Sequence, residues 1–537
     1  MKATKFISWR PWRSSSNTDG LTVPTPPPYL LRYRSSTFFI VGTICVATFT
    51  DIFLYGLIVP VMPFALTTRA GIAEDQVQHW NTILVACYGI ALFVASPIAG
   101  LYADHTSSRR TPLMGGLIAL GASTVLLCLG RSIAVFIVGR ILQGFSAGVV
   151  WSVGLALLAD TMGRKIGLGM GYVSIALSAG LLCAPLVGGG VYASAGYYAV
   201  YYVAFGFIAL DIIMRLFLIE KKTALQWLKE DTLAGTAGDA EAPPADDSGY
   251  NADPGLARPI PPEIGTLKRS AMLLRSKRLM ANLVGCAINA GVFTAFDTVL
   301  PLFTEEVFHW KSTAAGLIFF TLFTPPLILS PPVGLLADRC GAKWPAVFGF
   351  ALSVPLLVCL RFVDENSLHK KVLLCVLLSL LGVVLTFSQV PLMAEIGFVI
   401  ETIEAANPGV WGSKGVYGIG YGLFNTAFAL GSFLGSLMAG YIQDSFGWST
   451  TTWVLGVWCS VGLVFVVVGA GEFQLRPPPK PKGPPTLARE LLTKPTAEGE
   501  AAGTIGTAGA TEIQQASSDS SPSTALVTAS ERTSPSA

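Results

Sequence analysis

The chain has 537 residues, of which 52% are hydrophobic and 13% charged, with a formal net charge of +3. Soluble domains carry roughly a quarter charged residues, so this composition excludes an ordinary soluble globular protein. A net charge this small supports neither a nucleic-acid surface nor an acidic partner.

The chain opens with a basic, Pro-rich stretch over residues 1–36, in which MKATKFISWRPWRSSS has no apolar core directly behind it, so no cleavable signal peptide is expected. Six apolar segments follow at about 38–66, 80–103, 113–130, 132–158, 168–193 and 197–219, and six more at about 279–304, 313–337, 344–362, 371–400, 417–442 and 451–471. Blocks of about 20 residues match a ~30 Å hydrocarbon core at 1.5 Å per helical residue. Their apolar runs are continuous rather than alternating, which predicts helices rather than a barrel. Residues 220–278, with AGDAEAPPADDSGYNADPG, read as a cytoplasmic linker between six-helix bundles at 37–219 and 279–471, and residues 472–537 as a disordered tail. Eight of the nine cysteines lie in apolar segments and Cys340 in a short loop, without metal-ligand or extracellular disulfide spacing.

With a cytoplasmic N-terminus, the inner loops hold Arg109, Arg110, Arg164, Lys165, Arg339 and Lys343, whereas Arg69, Arg131 and Lys311 stand singly outside, with Lys370 and Lys371 the main exception. The positive-inside rule therefore predicts both termini in the cytoplasm. The halves also repeat: Pro97-x-x-Gly100-Leu101-x-Ala103-Asp104 returns as Pro331-x-x-Gly334-Leu335-x-Ala337-Asp338, 234 residues on at each position. Two parallel six-helix repeats around a central path predict a transporter architecture.

These residues resemble the major facilitator superfamily, specifically its twelve-helix drug–proton antiporter branch in the fungal style; the likeness covers the twelve helices and leaves out the tails and linker. It implies an all-α membrane protein with the major facilitator fold. The run Gly100 to Arg110 looks like the family's loop 2–3 signature, with Ser107 or Ser108 where a Gly is usual. A carboxylate such as Asp104 is favoured near a helix N-terminus by roughly 0.3–1 kcal/mol. The resemblance implies that Gly100, Asp104, Arg109 and Arg110, with Gly334, Asp338 and Arg339 of the second copy, form gating loops that latch the halves in one conformation. Arg140-x-x-Gln143-Gly144 is similar to the signature of helix four and implies a part in proton coupling. Gly171 and the run Gly180, Pro185, Gly188 and Gly189 resemble the antiporter motif of helix five, with Ala184 where Gly is usual; the family links this motif with exchange.

Among the acids within or at the ends of the apolar segments, Asp51, Asp297, Glu395 and Glu401 are the candidates for proton coupling. Intramembrane acids are functional candidates by default, because burial disfavours the ionised form and lets a carboxyl alternate between charge states as water access changes sides. The surroundings of Asp51, Asp297 and Glu401 are similar to acidic positions in vesicular amine transporters. Tyr88 and Asn425 depart from that pattern, standing where those proteins carry a Lys and an Asp, which argues for a more apolar cargo. Tyr55, Tyr88, Gln143 and Asn425 are candidate cavity-lining residues. Asp211 and Arg215, one turn apart, read as an i,i+4 ion pair.

The sequence therefore predicts a proton-coupled antiporter exporting a small hydrophobic or cationic organic compound such as a drug, toxin or secondary metabolite. It would act as a monomer in the lipid bilayer, with protons as co-substrate and no other cofactor, metal or nucleic acid. The plasma membrane is the expected location, with a vacuolar or vesicular membrane as the alternative. An importer of a nutrient or metal chelate and a vesicular or vacuolar amine-type transporter remain open. Neither an H-E-x-x-H nor a nucleotide-binding G-x-x-x-x-G-K-[ST] motif occurs, so an enzyme is not expected.

Overall fold

The computed structural model describes residues 28–58, 61–106, 108–224, 227, 266–310, 312–407, 410–412 and 415–469. Residues 1–27, most of the expected linker and the expected tail at 472–537 lie outside the described residues. The first half comprises α1 (Leu31–Arg34), α2 (Thr37–Ile58), α3 (Met62–Thr68), α4 (Glu74–His105), α5 (Arg110–Leu129), α6 (Ile133–Met162), α7 (Ile166–Ala195) and α8 (Tyr197–Phe217). The second half comprises α9 (Thr266–Leu274), α10 (Lys277–Phe308), α11 (Ser312–Cys340), α12 (Lys343–Cys359), α13 (Leu368–Ala406) and α14 (Tyr417–Gly469). No strand occurs among the described residues.

Among the described residues, ten helical stretches are long and apolar enough to cross a membrane. Two of them, Ile133–Ala195 with 63 residues and Tyr417–Gly469 with 53, far exceed the ~20 residues that one crossing needs. Each is broken at a glycine with positive φ, Gly163 at 50° and Gly447 at 76°, so ten stretches accommodate twelve crossings. Gly196, at φ 80° between α7 and α8, precedes Gly447 by 251 residues and supplies the same left-handed break in the first half.

Several boundaries differ from the sequence expectation. The first segment ends at Ile58 and restarts as α3, with a proline in the first turn of α3, because Pro63 is compatible with a helix start and not with a helix interior. The second crossing begins at Glu74 rather than near residue 80, and the tenth runs on to Ala406, since polar residues beyond the apolar core can continue a helix into the interface.

Within the first half α4 and α5 pack on α6 and α2 packs on α7; within the second, α10 packs on α14 and α11 and α12 on α13. The halves meet where α4 lies along α14 and α7 along α11. Small residues set these approaches, as expected where lipid gives no hydrophobic drive between helices. A Cβ at Gly144 would meet the backbone of Tyr88, and one at Gly431 would meet the backbone of Ala287.

Asp211 and Arg215 form the expected pair on α8, with Nη2 to Oδ2 at 2.7 Å and Nε to Oδ1 at 2.8 Å, and Arg215 also donates to the Leu113 carbonyl. Both are buried. Asp211→Ala strands that guanidinium and is expected to destabilise the first half by about 3–5 kcal/mol. A thermal-shift measurement in detergent should show a clear fall in Tm, largely restored when Arg215→Met is added.

Candidate functional site: a reciprocal latch and a buried polar cluster

Asp104, 5% exposed near the end of α4, reaches into the other half. Its Oδ1 accepts from the Gly418 amide at 2.9 Å and its Oδ2 from the Ile419 amide at 2.8 Å. These donors belong to the first turn of α14, where N–H groups have no intrahelical acceptor and the helix dipole favours an anion. Asp338, near the end of α11, does the same in the opposite direction, accepting from the Gly167 and Leu168 amides at 2.7 and 2.9 Å in the first turn of α7. Gly167 and Gly418 are 251 residues apart, as are Leu168 and Ile419. Each half therefore caps a helix of the other.

Glycine is required at this crossing. A Cβ at Gly100 would strike the Gly418 carbonyl, and one at Gly334 the Gly167 carbonyl. Further along the same seam, Asn425 Nδ2 donates to Ser96 Oγ at 2.7 Å and Ser330 Oγ to Ser174 Oγ at 3.2 Å. Ser96 lies nine residues from the end of α4, about 13 Å at 1.5 Å per residue, or nearly half the hydrocarbon thickness. The Asp104 end is thus sealed to the middle of the bundle. Asn425, expected in the cavity, is buried in this seam.

The two copies of the loop differ in their bracing. Arg109 Nη1 donates to Asp104 Oδ1 at 2.8 Å and its Nε to Asp160 Oδ2 at 3.2 Å, and Lys222 approaches the other Asp160 oxygen at 3.3 Å. Arg110 turns away from the seam: its amide donates to Glu220 Oε1 at 2.9 Å and its Nη2 to the Leu216 carbonyl at 2.8 Å. Ser108 donates its hydroxyl to the same Glu220 oxygen at 2.6 Å. In the second copy Arg339 is exposed, with no ion pair among the described residues, and Gly341 at φ 82° occupies the position equivalent to Ser107. Ser107 lies outside the described residues.

A second group of polar residues lies deeper in the first half. Asp51, 1% exposed on α2, accepts from the Trp151 indole N–H at 3.1 Å through Oδ2, and its Oδ1 has no hydrogen-bond partner. Arg140, also 1% exposed, donates to Gln143 Oε1 at 3.0 Å, while Arg140 Nε and Gln143 Nε2 have no partner. The Tyr55 ring lies 5.8 Å from the guanidinium and 4.7 Å from the Tyr88 ring. Asp297 on α10 is exposed although its neighbours Phe296 and Val299 are fully buried. It is near enough to Tyr55 of the other half for the two to interact, which puts it on the side of α10 toward the first half. The geometry gathers Asp51, Tyr55, Tyr88, Arg140, Gln143 and Asp297 around the centre.

The remaining acids are placed elsewhere. Glu395 pairs with Arg278 at the start of α10, so its charge is compensated inside the second half. Glu401 is half-buried near the Asp104 end, where it acts on Tyr417 and Tyr421. The α7 glycines divide their work: Gly171 backs onto Ser330 and Pro331 of α11, whereas Gly180 and Gly188 back onto Ile52 and Leu57 of α2. Gly189 faces open space and Pro185 is exposed, so the tight packing expected along the whole motif stops at Gly188.

A family model described as Major Facilitator Superfamily matches residues 44–319 and 283–520. The chain belongs to the Major Facilitator Superfamily. It is 34% identical over 440 residues to an uncharacterized MFS-type transporter of Schizosaccharomyces pombe, a match covering 80% of this chain and 95% of that one. It is 31% identical over 446 residues to the MFS-type transporter ppzB of Metarhizium rileyi, covering 78% and 92%. A crystal structure of the human organic anion transporter MFSD10 (TETRAN) shares the fold, with a TM-score of 0.59 at 17% identity over 80% of this chain and 99% of that one. This major facilitator protein is therefore a multi-pass membrane transporter of a small solute.

Sequence reasoning about this transporter missed Trp151, Asp160 and Glu220. Trp151 sits in an unbroken apolar run, and nothing local ties it to Asp51, 100 residues away. Asp160 carried a weak signal, an acid at a helix end just ahead of Arg164 and Lys165.

Proposed function

We propose that this transporter is a proton-coupled antiporter that exports a small hydrophobic or cationic organic compound. The observation that carries the reading is Asp51: a carboxyl group enclosed by protein, with one oxygen held by Trp151 and the other unpartnered. A buried carboxylate half supplied with donors is costly, and protonation relieves that cost. A change of water access therefore changes its charge, which is what exchange of a proton for a cargo requires. Asp297 adds a negative charge on the side of α10 toward the first half, which favours a cationic cargo over an anionic one, and the aromatic rings of Tyr55 and Tyr88 favour an apolar body.

The basic loop residues Arg109, Arg110, Arg164, Lys165, Arg339 and Lys343 cluster at the Asp104 end, which supports a cytoplasmic placement of that end and of both termini. The described conformation is then closed toward the cytoplasm, and transport proceeds by rocking the halves until the reciprocal latch breaks. The plasma membrane is the proposed site of action.

The test is transport of a lipophilic cation in proteoliposomes. Ethidium should accumulate against its gradient when the lumen is more acidic than the bath, and accumulation should collapse when nigericin dissipates the pH difference. Equal ethidium movement with and without the imposed gradient would remove proton coupling from the mechanism.

A further inference from the structure

Between α11 and α13, away from the seam, lies a cleft of about 640 Å³ bordered by Phe320, Thr321, Thr324, Ile328, Ser379 and Val383. Ile328 is 70% exposed, and Val376 and Leu380 on the same side of α13 are also exposed. Exposed aliphatic side chains on a membrane-spanning helix mark the surface that meets lipid. The opposite side of α11 is the one that meets α7, through Ser330, Gly334 and Asp338. The cleft therefore opens to the bilayer and not to the central space.

Its chemistry is unlike plain lipid-facing surface. α11 carries Pro325, Pro326, Pro331 and Pro332 inside the helix. A proline has no N–H, so the carbonyl four residues earlier loses its helical donor. The carbonyls affected are those of Thr321, Leu322, Leu327 and Ile328. The Leu322 carbonyl is covered by Gly382 of α13, whereas Thr321 and Ile328 border the cleft. Hydroxyls elsewhere in these helices bond back to the preceding turn, as Thr386 does at 2.7 Å and Ser330 at 2.5 Å. Thr324 and Ser379 make no hydrogen bond among the described residues. Backbone acceptors without donors are expensive in hydrocarbon. No charged side chain lines the cleft, so a phosphate or an ammonium headgroup finds no counterion there.

We infer that this cleft is a binding site for a neutral bilayer lipid with an apolar body and a single hydroxyl, of the sterol class, whose hydroxyl donates to a carbonyl freed by the α11 prolines and accepts from Thr324 or Ser379. The volume lies within the roughly 300–1,000 Å³ of small-molecule pockets. The site is separate from the central polar cluster, and its failure would leave the proposed antiport untouched.

The test uses the full-length chain in phosphatidylcholine vesicles containing a diazirine-bearing sterol. On illumination, label should enter peptides spanning residues 320–329 and 379–383. Filling the cleft with Ile328→Trp should lower labelling at least about fivefold, and Thr324→Val with Ser379→Ala, which keep the shape and remove the hydroxyls, should lower it by a similar factor. Unlabelled sterol should compete about tenfold better than its methyl ether, the scale of one lost hydrogen bond. Ethidium accumulation by each variant serves as the folding control. Undiminished labelling in the variants, or equal competition by the ether, would overturn the assignment. So would displacement of the label by ethidium and not by sterol, which would make the cleft a cargo portal.

Discussion

Asp104→Ala is expected to leave the transporter in the membrane but to open the Asp104 end and reduce transport by roughly 100-fold or more. The carboxylate accepts two first-turn amides of α14 and the Arg109 guanidinium. Hydrogen bonds to a charged group contribute about 1.5–3 kcal/mol each. The two amide bonds across the seam therefore contribute about 3–6 kcal/mol to closure, while Arg109 keeps Asp160 as its partner. Each 1.4 kcal/mol is a tenfold change in an equilibrium, so the closed state loses about two to four orders of magnitude of population relative to the open one. Spin labels at His105 and Arg339, both exposed and one in each half, should report a broader and longer distance distribution in the variant. Adding Arg109→Leu should leave the halves apart, because the Gly418 and Ile419 amides still lack their acceptor. A variant whose label distances match the wild type would show that packing of α4 on α14 and α7 on α11 suffices to close the gate.

Asp51→Asn tests the coupling itself. Asn is nearly the same shape, and its carbonyl oxygen can still accept from Trp151, so the packing around α2 is preserved. What disappears is the ability to carry a proton. One pH unit is worth about 1.36 kcal/mol per proton, so a one-for-one exchanger facing a one-unit gradient should hold ethidium at about a tenfold concentration ratio. In Asp51→Asn that ratio should fall to one, with downhill ethidium movement still measurable. Trp151→Phe removes the donor and keeps the acid; it should shift the pH–rate profile while accumulation persists. An Asp51→Asn variant that still concentrates ethidium would transfer the proton-carrying role to Asp297, the other acid at the centre.

Much of this protein was legible in its sequence because the signals were local. A helix that crosses lipid must be apolar over about 20 consecutive residues whatever it packs against, so the crossings were visible without knowing their neighbours. The double-length stretches Ile133–Ala195 and Tyr417–Gly469 could be divided for the same reason. The Pro97–Asp104 and Pro331–Asp338 runs announced the repeat, because two copies of one motif stay similar along the chain even when their partners do not. The Asp211–Arg215 pair followed from helical spacing alone.

What the sequence did not carry was which distant groups meet. The repeat marked Asp104 as a candidate gating acid, but its partner Gly418 lies 314 residues away, and a backbone amide leaves no side-chain mark to search for. Asn425 looked like a cavity residue until its bond to Ser96 placed it in the seam. Glu395 and Asp51 are both acids in apolar helices, yet Glu395 is answered by the Arg278 guanidinium and Asp51 has no ion pair among the described residues. Amino-acid order determined the helices and their kinship, because hydrophobic length and repetition are properties of contiguous residues. Beyond neighbours on one helix such as Asp211 and Arg215, tertiary structure decided which buried charges are compensated, because in a low-dielectric interior that depends on a few ångströms between side chains far apart in the chain.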